Sequence, residues 1–557
     1  VSRFIDAVFG TGPALGRGIV VGEPDTPTRI AWSEVTETAR ELAGGLAALG
    51  VGRGDRVAVL VRAPAEAAPL VQAVWLRGAA VTMLQQPTPR TDHTHWLHAT
   101  LGMLDAIDAR LVLAGLSFLS VVPSLAAAGI HTVATADLSG GRPAGPVGCA
   151  EGDIALLQLS SGSTGTPKAV AITHENLHHN WSAMTEVYGF TPEHDTMVSW
   201  LPLFHDFGMI AFLAGPMQSG MDTVCVTPAE FLAAPAVWPE LLTRYRATFT
   251  GSPNFGYAML ARTLAAAPAG AYDLSALRIA LNGGEPIDPA TVRALTDAGA
   301  RFGLRPGAVA MGYGMAEATL VVALTRPGET ARIETVDADR LETEGSARPA
   351  VLRTARRTRE FVAVGRPVPG MGVRVVDETG TRLPARTVGE FQVRGGAVTH
   401  RYRTAAGWQD ARDRSGWLAT GDLGYLTDTG EAVVCGRRKD TIIVAGRNIF
   451  PTEVERIAGR VGGVRAGNAA AIRLSPAEGR EHFAVIVESR LHDDAAEAER
   501  IGAEVARRVR DDIGVAPRQV LVVAPGTLPK TPSGKLRRSA AAVLLAPDPA
   551  EPASEVR

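Results

Sequence analysis

Only four lysines stand against 52 arginines in this chain of 557 residues, and all four fall inside three short motifs. Lys168 closes Ser161-Gly162-Ser163-Thr164-Gly165-Thr-Pro-Lys168. Lys439 lies in Gly436-Arg-Arg-Lys-Asp440, and Lys530 and Lys535 bracket Lys530-Thr-Pro-Ser-Gly-Lys535. An ammonium is a compact point charge, whereas a guanidinium is a wide planar fork that cannot replace it against one phosphate or carboxylate oxygen. A chain that otherwise uses arginine has kept lysine at these places. The alternative is chance in an arginine-rich sequence; the motifs favour phosphate chemistry.

The small hydroxyl and glycine residues before Lys168 let the backbone approach a polyphosphate and turn N–H and hydroxyl donors toward it. The segment is not a Walker A loop, which needs Gly before the lysine and Ser or Thr after it; here Pro167 precedes Lys168 and Ala169 follows. By itself such a segment is equally well a plain flexible loop. Further segments follow in order: Trp200-Leu-Pro-Leu-Phe-His205-Asp-Phe-Gly208, Gly251-Ser-Pro-Asn-Phe255, Asn282-Gly283-Gly284-Glu285-Pro286, Gly312-Tyr313-Gly314-Met315-Ala316-Glu317-Ala-Thr319 and Thr420-Gly-Asp422. Tyr313 offers a flat face for a purine, Asp422 a bidentate acceptor for ribose hydroxyls, and Glu317 a hard carboxylate ligand for Mg²⁺. Each has a bland counterpart: a core tyrosine, a turn aspartate, a solvated glutamate. Counting Thr420-Gly-Asp422 together with Gly436–Asp440, seven such segments in one order exclude coincidence.

The elements that must position these residues are visible as apolar runs. Strands are expected at 57–61, 80–84, 111–114 and 154–159, with helices at 65–76 and 175–188. Near-continuous apolar strands separated by helices indicate parallel sheet buried on both faces. From about residue 362 the pattern turns to Gly-punctuated strands (373–376, 389–394, 431–435), a smaller β-rich subdomain. After Lys439 come a strand at 441–444, a helix at 451–461, strands at 469–473 and 483–488, a helix at 493–511 and a strand at 519–523. The fold class is therefore α/β. A large N-terminal domain spans 1–438, a small α+β domain spans 439–545, and 546–557 is expected to be a disordered tail. Residues 335–361 carry many charges, among them Arg353, Arg356, Arg357 and Arg359, and show no clear secondary structure. A solvated loop is the default for such a run, and its length suggests a function or order gained from contacts elsewhere.

Composition removes several function classes. The net charge is −2, so no global field calls for nucleic acid or an anionic membrane. Cys149, Cys225 and Cys435 lack C-x-x-C spacing, against both a disulfide framework and a zinc site. No run approaches the roughly 18 apolar residues of a membrane span, and residues 1–6 carry no apolar signal core. A cytoplasmic location is expected.

With these motifs in their order, the chain resembles the adenylate-forming superfamily of acyl-CoA synthetases, nonribosomal adenylation domains and luciferases over nearly its whole length. Trp200-Leu-Pro-x-x-His205-Asp, Pro253-Asn254-Phe255, Asn282-Gly-Gly-Glu285-Pro286 and Tyr313-Gly-x-Ala-Glu317 look most like the fatty acyl-AMP ligases, which activate a fatty acid with ATP and Mg²⁺ and pass it to a phosphopantetheinylated acyl carrier protein. Residues 335–361 match the place of that family's insertion, thought to hinder transfer to coenzyme A. The resemblance implies that Ser161, Gly162, Ser163, Thr164, Gly165 and Lys168 hold the ATP phosphates. It sets His205 near the acyl carboxylate and α-phosphate, and Gly283, Gly284, Glu285, Pro286, Tyr313, Gly314, Met315 and Ala316 around adenine. It further makes Glu317 the Mg²⁺ ligand, Asp422 and Arg437 the ribose holders, Lys439 the hinge of a mobile C-terminal domain, and Lys535, with His205, Glu317 and Thr164, catalytic. Ala169 replaces the family's usual glycine, and Gly284 stands where alanine is frequent.

Three rival readings remain. An amino-acid-activating domain would need a carboxylate near residue 200 for the substrate ammonium, and none precedes Asp206. An acyl-CoA synthetase differs only in acceptor, and a non-catalytic nucleotide-binding protein would have no reason to keep Lys535, Glu317 and Asp422 together. Phe212, Met217, Phe231, Phe255 and Met259 are either an acyl tunnel or ordinary core.

Overall fold

The computed structural model describes residues 2–10, 16–87, 92–138, 141–161, 167–351, 355–444, 446–477, 480–530 and 535–545. The chain divides into two units. The first comprises Val1–Arg332, Val362–Arg374 and Gln392–Ala419; the second comprises Ile333–Phe361, Val375–Phe391 and Thr420–Arg557.

Two sheets build the first unit. In one, strands Arg56–Leu60, Ala80–Met83, Leu111–Ala114, Thr132–Ala134 and Ile154–Ser161 run parallel. Val57 to Leu60 have no exposed surface, as expected of apolar strands covered on both faces. Helix Pro64–Leu76 crosses between two of them, begins with proline in its first turn and is buried from Ala67 to Leu76.

Beside the phosphate-type segment the sequence reading missed a strand. Strand Pro167–Thr173 pairs antiparallel with Ile154–Ser161, opposing Ser160 to Lys168 and Ser161 to Pro167. The phosphate-type segment is thus flanked by two antiparallel strands, where a strand followed by a helix was expected. The apolar run Ala169–Ile172 is only four residues long and abuts loop-forming residues, which hid it. Helix His174–Tyr188 starts directly afterwards in a capping box, Asn176 N–H donating to Thr173 Oγ1 (3.2 Å) and Thr173 N–H to Asn176 Oδ1 (3.0 Å).

The second sheet has nine strands among the described residues. Its six central strands, Gly18–Val21, Asp222–Cys225, Thr196–Ser199, Phe249–Ser252, Ile279–Asn282 and Val309–Gly314, are all parallel. Parallel strands send their carboxyl ends to one edge, where open α/β sheets bind ligands. Four of the chemical motifs begin at that edge: Trp200 after Ser199, Pro253 after Ser252, Gly283 after Asn282, and Met315 after Gly314.

In the second unit a three-stranded sheet, Val464–Ala477, Arg480–Ser489 and Gln519–Val523, packs with helices Pro451–Ala458 and Ala495–Ile513. Ile501, Val505, Val509 and Ile513 recur every fourth residue, share one helix face and are fully buried. The charged segment is no solvated loop but takes its order from contacts elsewhere in the second unit, the other reading that its length suggested. It contains strand Ile333–Asp337, helix Ala338–Glu344 and strand Thr358–Val362, the two strands paired. Arg357 and Arg359 point inward. Glu342, with a side chain 1 % exposed, accepts from Arg357 Nη2 at 2.7 Å, Arg359 Nη2 at 3.0 Å and Arg447 Nε at 2.9 Å. Arg357 and Arg447 also donate to the carbonyl of Ile513, the last residue of helix Ala495–Ile513, where the helix dipole favours a cation. Burial holds the Glu453 carboxyl above the usual carboxylate range although Arg359 lies 3.0 Å away. Arg353 and residues 546–557 lie outside the described residues.

Candidate nucleotide site

At the carboxyl edge of the nine-stranded sheet the motifs hold one another by backbone contact. Gly283 N–H donates to the Ser252 carbonyl, and a Cβ on Gly283 would meet the Gly312 carbonyl at 2.7 Å, so only glycine fits. Glu285 Oε1 accepts from Phe255 N–H (2.7 Å), setting a carboxylate on the first turn of helix Asn254–Ala266. Asn254 Oδ1 accepts from Asp288 N–H (3.2 Å), a second tie between the two segments. Gly284 adopts φ +79°. That left-handed backbone strains any L side chain, which explains why glycine stands here in place of alanine. Tyr313 lies beside these segments on its strand and is 9 % exposed.

The Glu317 turn is held from three sides. Thr399 N–H donates to the Glu317 carbonyl at 2.7 Å, and Thr319 Oγ1 to the Ala397 carbonyl at 2.6 Å. Fully buried Asn180, on helix His174–Tyr188, donates to the carbonyls of Ala318 and Val321 and accepts from Val321 N–H. Thr319 takes φ +68°, unusual for a β-branched residue. Such local strain persists where surrounding bonds over-determine it, and it clusters at functional sites.

Lys168 and Glu317, 149 positions apart, meet here: Lys168 Nζ is 3.5 Å from Glu317 Oε1. Tyr402, absent from the sequence reading, completes the group. Its ring centroid lies 3.8 Å from Lys168 Nζ, and its hydroxyl donates to Glu317 Oε1 at 3.3 Å. Burial, then the Glu317 carboxylate, push the Tyr402 phenol pKa up, so the hydroxyl keeps its proton. The Glu317 side chain is 14 % exposed and supplies the hard oxygen that Mg²⁺ takes. Among the described residues no group of three or more His, Cys, Asp or Glu side chains gathers as a metal cage. A single carboxylate suits Mg²⁺ that is held largely by substrate phosphates and water.

His205 precedes Phe207–Ala214, a stretch of π-helix, a conformation frequent at functional sites. Its Nδ1 lies 2.6 Å from Asp206 Oδ1 and 3.2 Å from the Phe207 N–H, contacts that orient the ring. Gly208 is required because a Cβ would meet the Pro202 carbonyl at 2.3 Å. Phe212, Phe231 and Met217 are core residues, whereas Phe255 and Met259 keep partial exposure. Trp200 stacks on Phe231 with ring centroids 4.0 Å apart and meets Phe255 edge-on.

Within the second unit Asp422 and Arg437 are direct cross-strand partners, with Arg437 Nε 3.0 Å from Asp422 Oδ1. Glu390, also missed, accepts from Gly421 N–H (3.0 Å) and pairs with Arg438, tying the Asp422 turn to the segment of Lys439. Lys439 is exposed in the short turn Arg438–Asp440. Arg538 joins Asp440 to Glu455. Lys530 departs from the phosphate reading: its ammonium donates to Asn468 Oδ1 (2.7 Å) and the Gly467 carbonyl (3.2 Å), and its backbone bridges to Leu536. Lys535 is half-buried. Gly162, Ser163, Thr164 and Gly165 lie outside the described residues, and Ser161 is placed as backbone only. A buried polar residue on an otherwise apolar helix face could have pointed to Asn180; nothing local pointed to Tyr402 or Glu390.

This arrangement has counterparts among known proteins. The putative ligase Rv1013 of Mycobacterium tuberculosis is 48 % identical over 546 residues, 98 % of this chain and all of that protein. The medium-chain-fatty-acid–[acyl-carrier-protein] ligase JamA of Moorena producens is 33 % identical over 401 residues, 70 % of this chain and 67 % of that protein. A structure from a study of fatty acyl-adenylate ligases of E. coli and L. pneumophila superposes with a TM-score of 0.89 at 26 % identity, covering 98 % of this chain and 97 % of that one. The fold is that of the adenylate-forming enzymes. Since the profile described as AMP-binding enzyme matches residues 13–403, spanning the Lys168 hairpin, the sheet-edge motifs, Glu317 and Tyr402, the chain belongs to the AMP-binding enzyme family.

Proposed function

We propose that the protein activates a fatty acid with ATP, forming acyl-AMP and pyrophosphate, and then transfers the acyl group to the phosphopantetheine thiol of an acyl carrier protein. The observation that carries the first step is the meeting of Lys168 and Glu317 beside the carboxyl edge of the nine-stranded sheet. In the reaction a carboxylate oxygen attacks the α-phosphorus and the bond to pyrophosphate breaks. Two anions must approach, so most of the acceleration comes from positioning and from positive charge at the crowded oxygens. Lys168 would meet the phosphates, and Glu317 would hold Mg²⁺, which supplies charge neutralisation when bound. His205, oriented by Asp206, would lie near the acyl carboxylate and the α-phosphate. Gly283 to Pro286 and Gly314 to Ala316 would enclose adenine against Tyr313, while Asp422 and Arg437 would take the ribose. Lys439 would act as the hinge between the two half-reactions, and Lys535 as the catalytic lysine of the first.

The carrier-protein acceptor is supported by the name of the Moorena relative and by residues 335–361 at the place of the acyl-AMP ligase insertion, flanked by the paired strands Ile333–Asp337 and Thr358–Val362. Pyrophosphate–ATP exchange with a panel of fatty acids tests activation; mass spectrometry of the product with coenzyme A and with phosphopantetheinylated carrier protein tests transfer. Lys535→Ala should lower adenylate formation by about 100-fold while sparing transfer from preformed acyl-AMP. Rapid acyl-CoA production by the intact enzyme would replace this reading with an acyl-CoA synthetase. Absence of exchange with any fatty acid would remove activation itself.

A further inference from the structure

Strand Arg401–Thr404 pairs antiparallel with Pro167–Thr173, opposing Tyr402 to Val170. Side chains two residues apart share a face, so Lys168 and Val170 lie on the face that Tyr402 also occupies, with Tyr402 diagonal to Lys168. The same strand follows Thr399, whose N–H binds the Glu317 carbonyl. One short segment therefore touches both groups that the proposed reaction needs at the phosphates.

We infer that Tyr402 is a positioning residue for the ATP–Mg²⁺ site, its ring setting Lys168 and its hydroxyl setting Glu317. The inference rests on the adenylation reading above. An unassisted lysine and carboxylate would close to a short charge-assisted hydrogen bond of about 2.7–2.9 Å, and ATP would have to break it. Here Tyr402 supplies Glu317 Oε1 with a hydroxyl donor and gives the ammonium an aromatic face, and the two charges stand 3.5 Å apart. When phosphates arrive the ammonium can exchange the ring for an anion, a cation–π contact being weaker than a charge-assisted hydrogen bond. Glu317 keeps its hydroxyl partner and leaves its second oxygen for the metal.

Two variants separate the two roles. Tyr402→Phe keeps the ring and removes the hydroxyl. It should bind metal-free ATP within about twofold of wild type by calorimetry, yet require about tenfold more Mg²⁺, read with Mn²⁺ as a paramagnetic probe in the ATP complex. Tyr402→Leu removes both contacts and should weaken metal-free ATP binding about tenfold as well. Restoration of ATP affinity by Phe relative to Leu is the signature of the ring. Wild-type ATP and Mn²⁺ binding in both variants, with intact circular dichroism, would overturn the role of Tyr402 while leaving adenylation standing. Equal loss of ATP affinity in both variants, with an unmoved metal requirement, would overturn it too. Failure of the wild-type enzyme to bind ATP at all would remove both readings.

Discussion

Two clusters of fixed charge, one in each unit, solve opposite problems. Around Glu317 a single lysine and a tyrosine attend one carboxylate, with Lys168 30 % and Glu317 14 % exposed. Around Glu342 three arginines converge on one carboxylate that is 1 % exposed, and all three also bind helix-end carbonyls. A guanidinium with five donors can satisfy several acceptors at once and gives a permanent joint. An ammonium resting on an aromatic face is held weakly enough to be redirected. If Lys168 meets the ATP phosphates as proposed, the first cluster has to release its cation to a substrate while the second keeps its own, which would account for a lysine at 168 in a chain with 52 arginines.

The largest effect is expected where the permanent joint is cut. Glu342→Gln leaves three guanidiniums facing one another without their carboxylate and should destabilise the second unit by about 3–5 kcal/mol, read as a lowered denaturation midpoint for that unit. A loss below about 1 kcal/mol would mean that water reaches the cluster and the contrast in burial does not hold. Next, Lys168→Arg preserves charge but widens it. An enzyme that has to move a point charge from Tyr402 to a phosphate should lose about 100-fold in kcat/KM for ATP; near-normal kinetics would show that guanidinium and ammonium are interchangeable there.

A third test concerns an ionisable group buried with no fixed charge bonded to it. His174, hydrogen-bonded to Ser2 Oγ at 3.0 Å and fully buried, is held neutral by burial, its pKa lowered from 6.5 to about 4. Between those values the unfolded chain binds a proton that the folded chain refuses. The stability due to neutral His174 is therefore complete above pH 6.5 and is lost as pH falls toward 4, a total of about 3 kcal/mol. His174→Gln should flatten that slope in denaturant titrations at pH 7 and 4.5. An unchanged slope would assign the acid sensitivity to the charge clusters instead.

Much of the positioning framework was legible because it is local. Val57–Leu60, Leu111–Ala114 and the helix at 64–76 are apolar runs whose burial follows from their own composition, and the motifs at 200, 253, 283 and 315 are contiguous in sequence. Strand Pro167–Thr173 escaped because four apolar residues between a loop and a helix carry too short a period to separate from either. Order gained from contacts elsewhere was a reading the sequence offered for 335–361, but its elements were not legible, because Arg357 and Arg359 are paired with Glu342 inside the segment and with Glu453 and the Ile513 carbonyl far along the chain, and charge density alone reads as solvation.

By itself the sequence determined the alternation that makes a parallel sheet, and it placed glycines where backbones pass too closely for a Cβ. It also reserved lysine for single-point electrostatic contacts. Only the tertiary structure decided what each lysine meets: Lys168 lies against Glu317, whereas Lys530 donates to Asn468. It alone brought Tyr402, Asn180 and Glu390 to their stations. The physical reason is range. Backbone propensity and apolar periodicity act over a few residues, but an ion pair or a carbonyl contact is defined by distance in space, and pairing Pro167–Thr173 with Arg401–Thr404 joins side chains more than 230 positions apart.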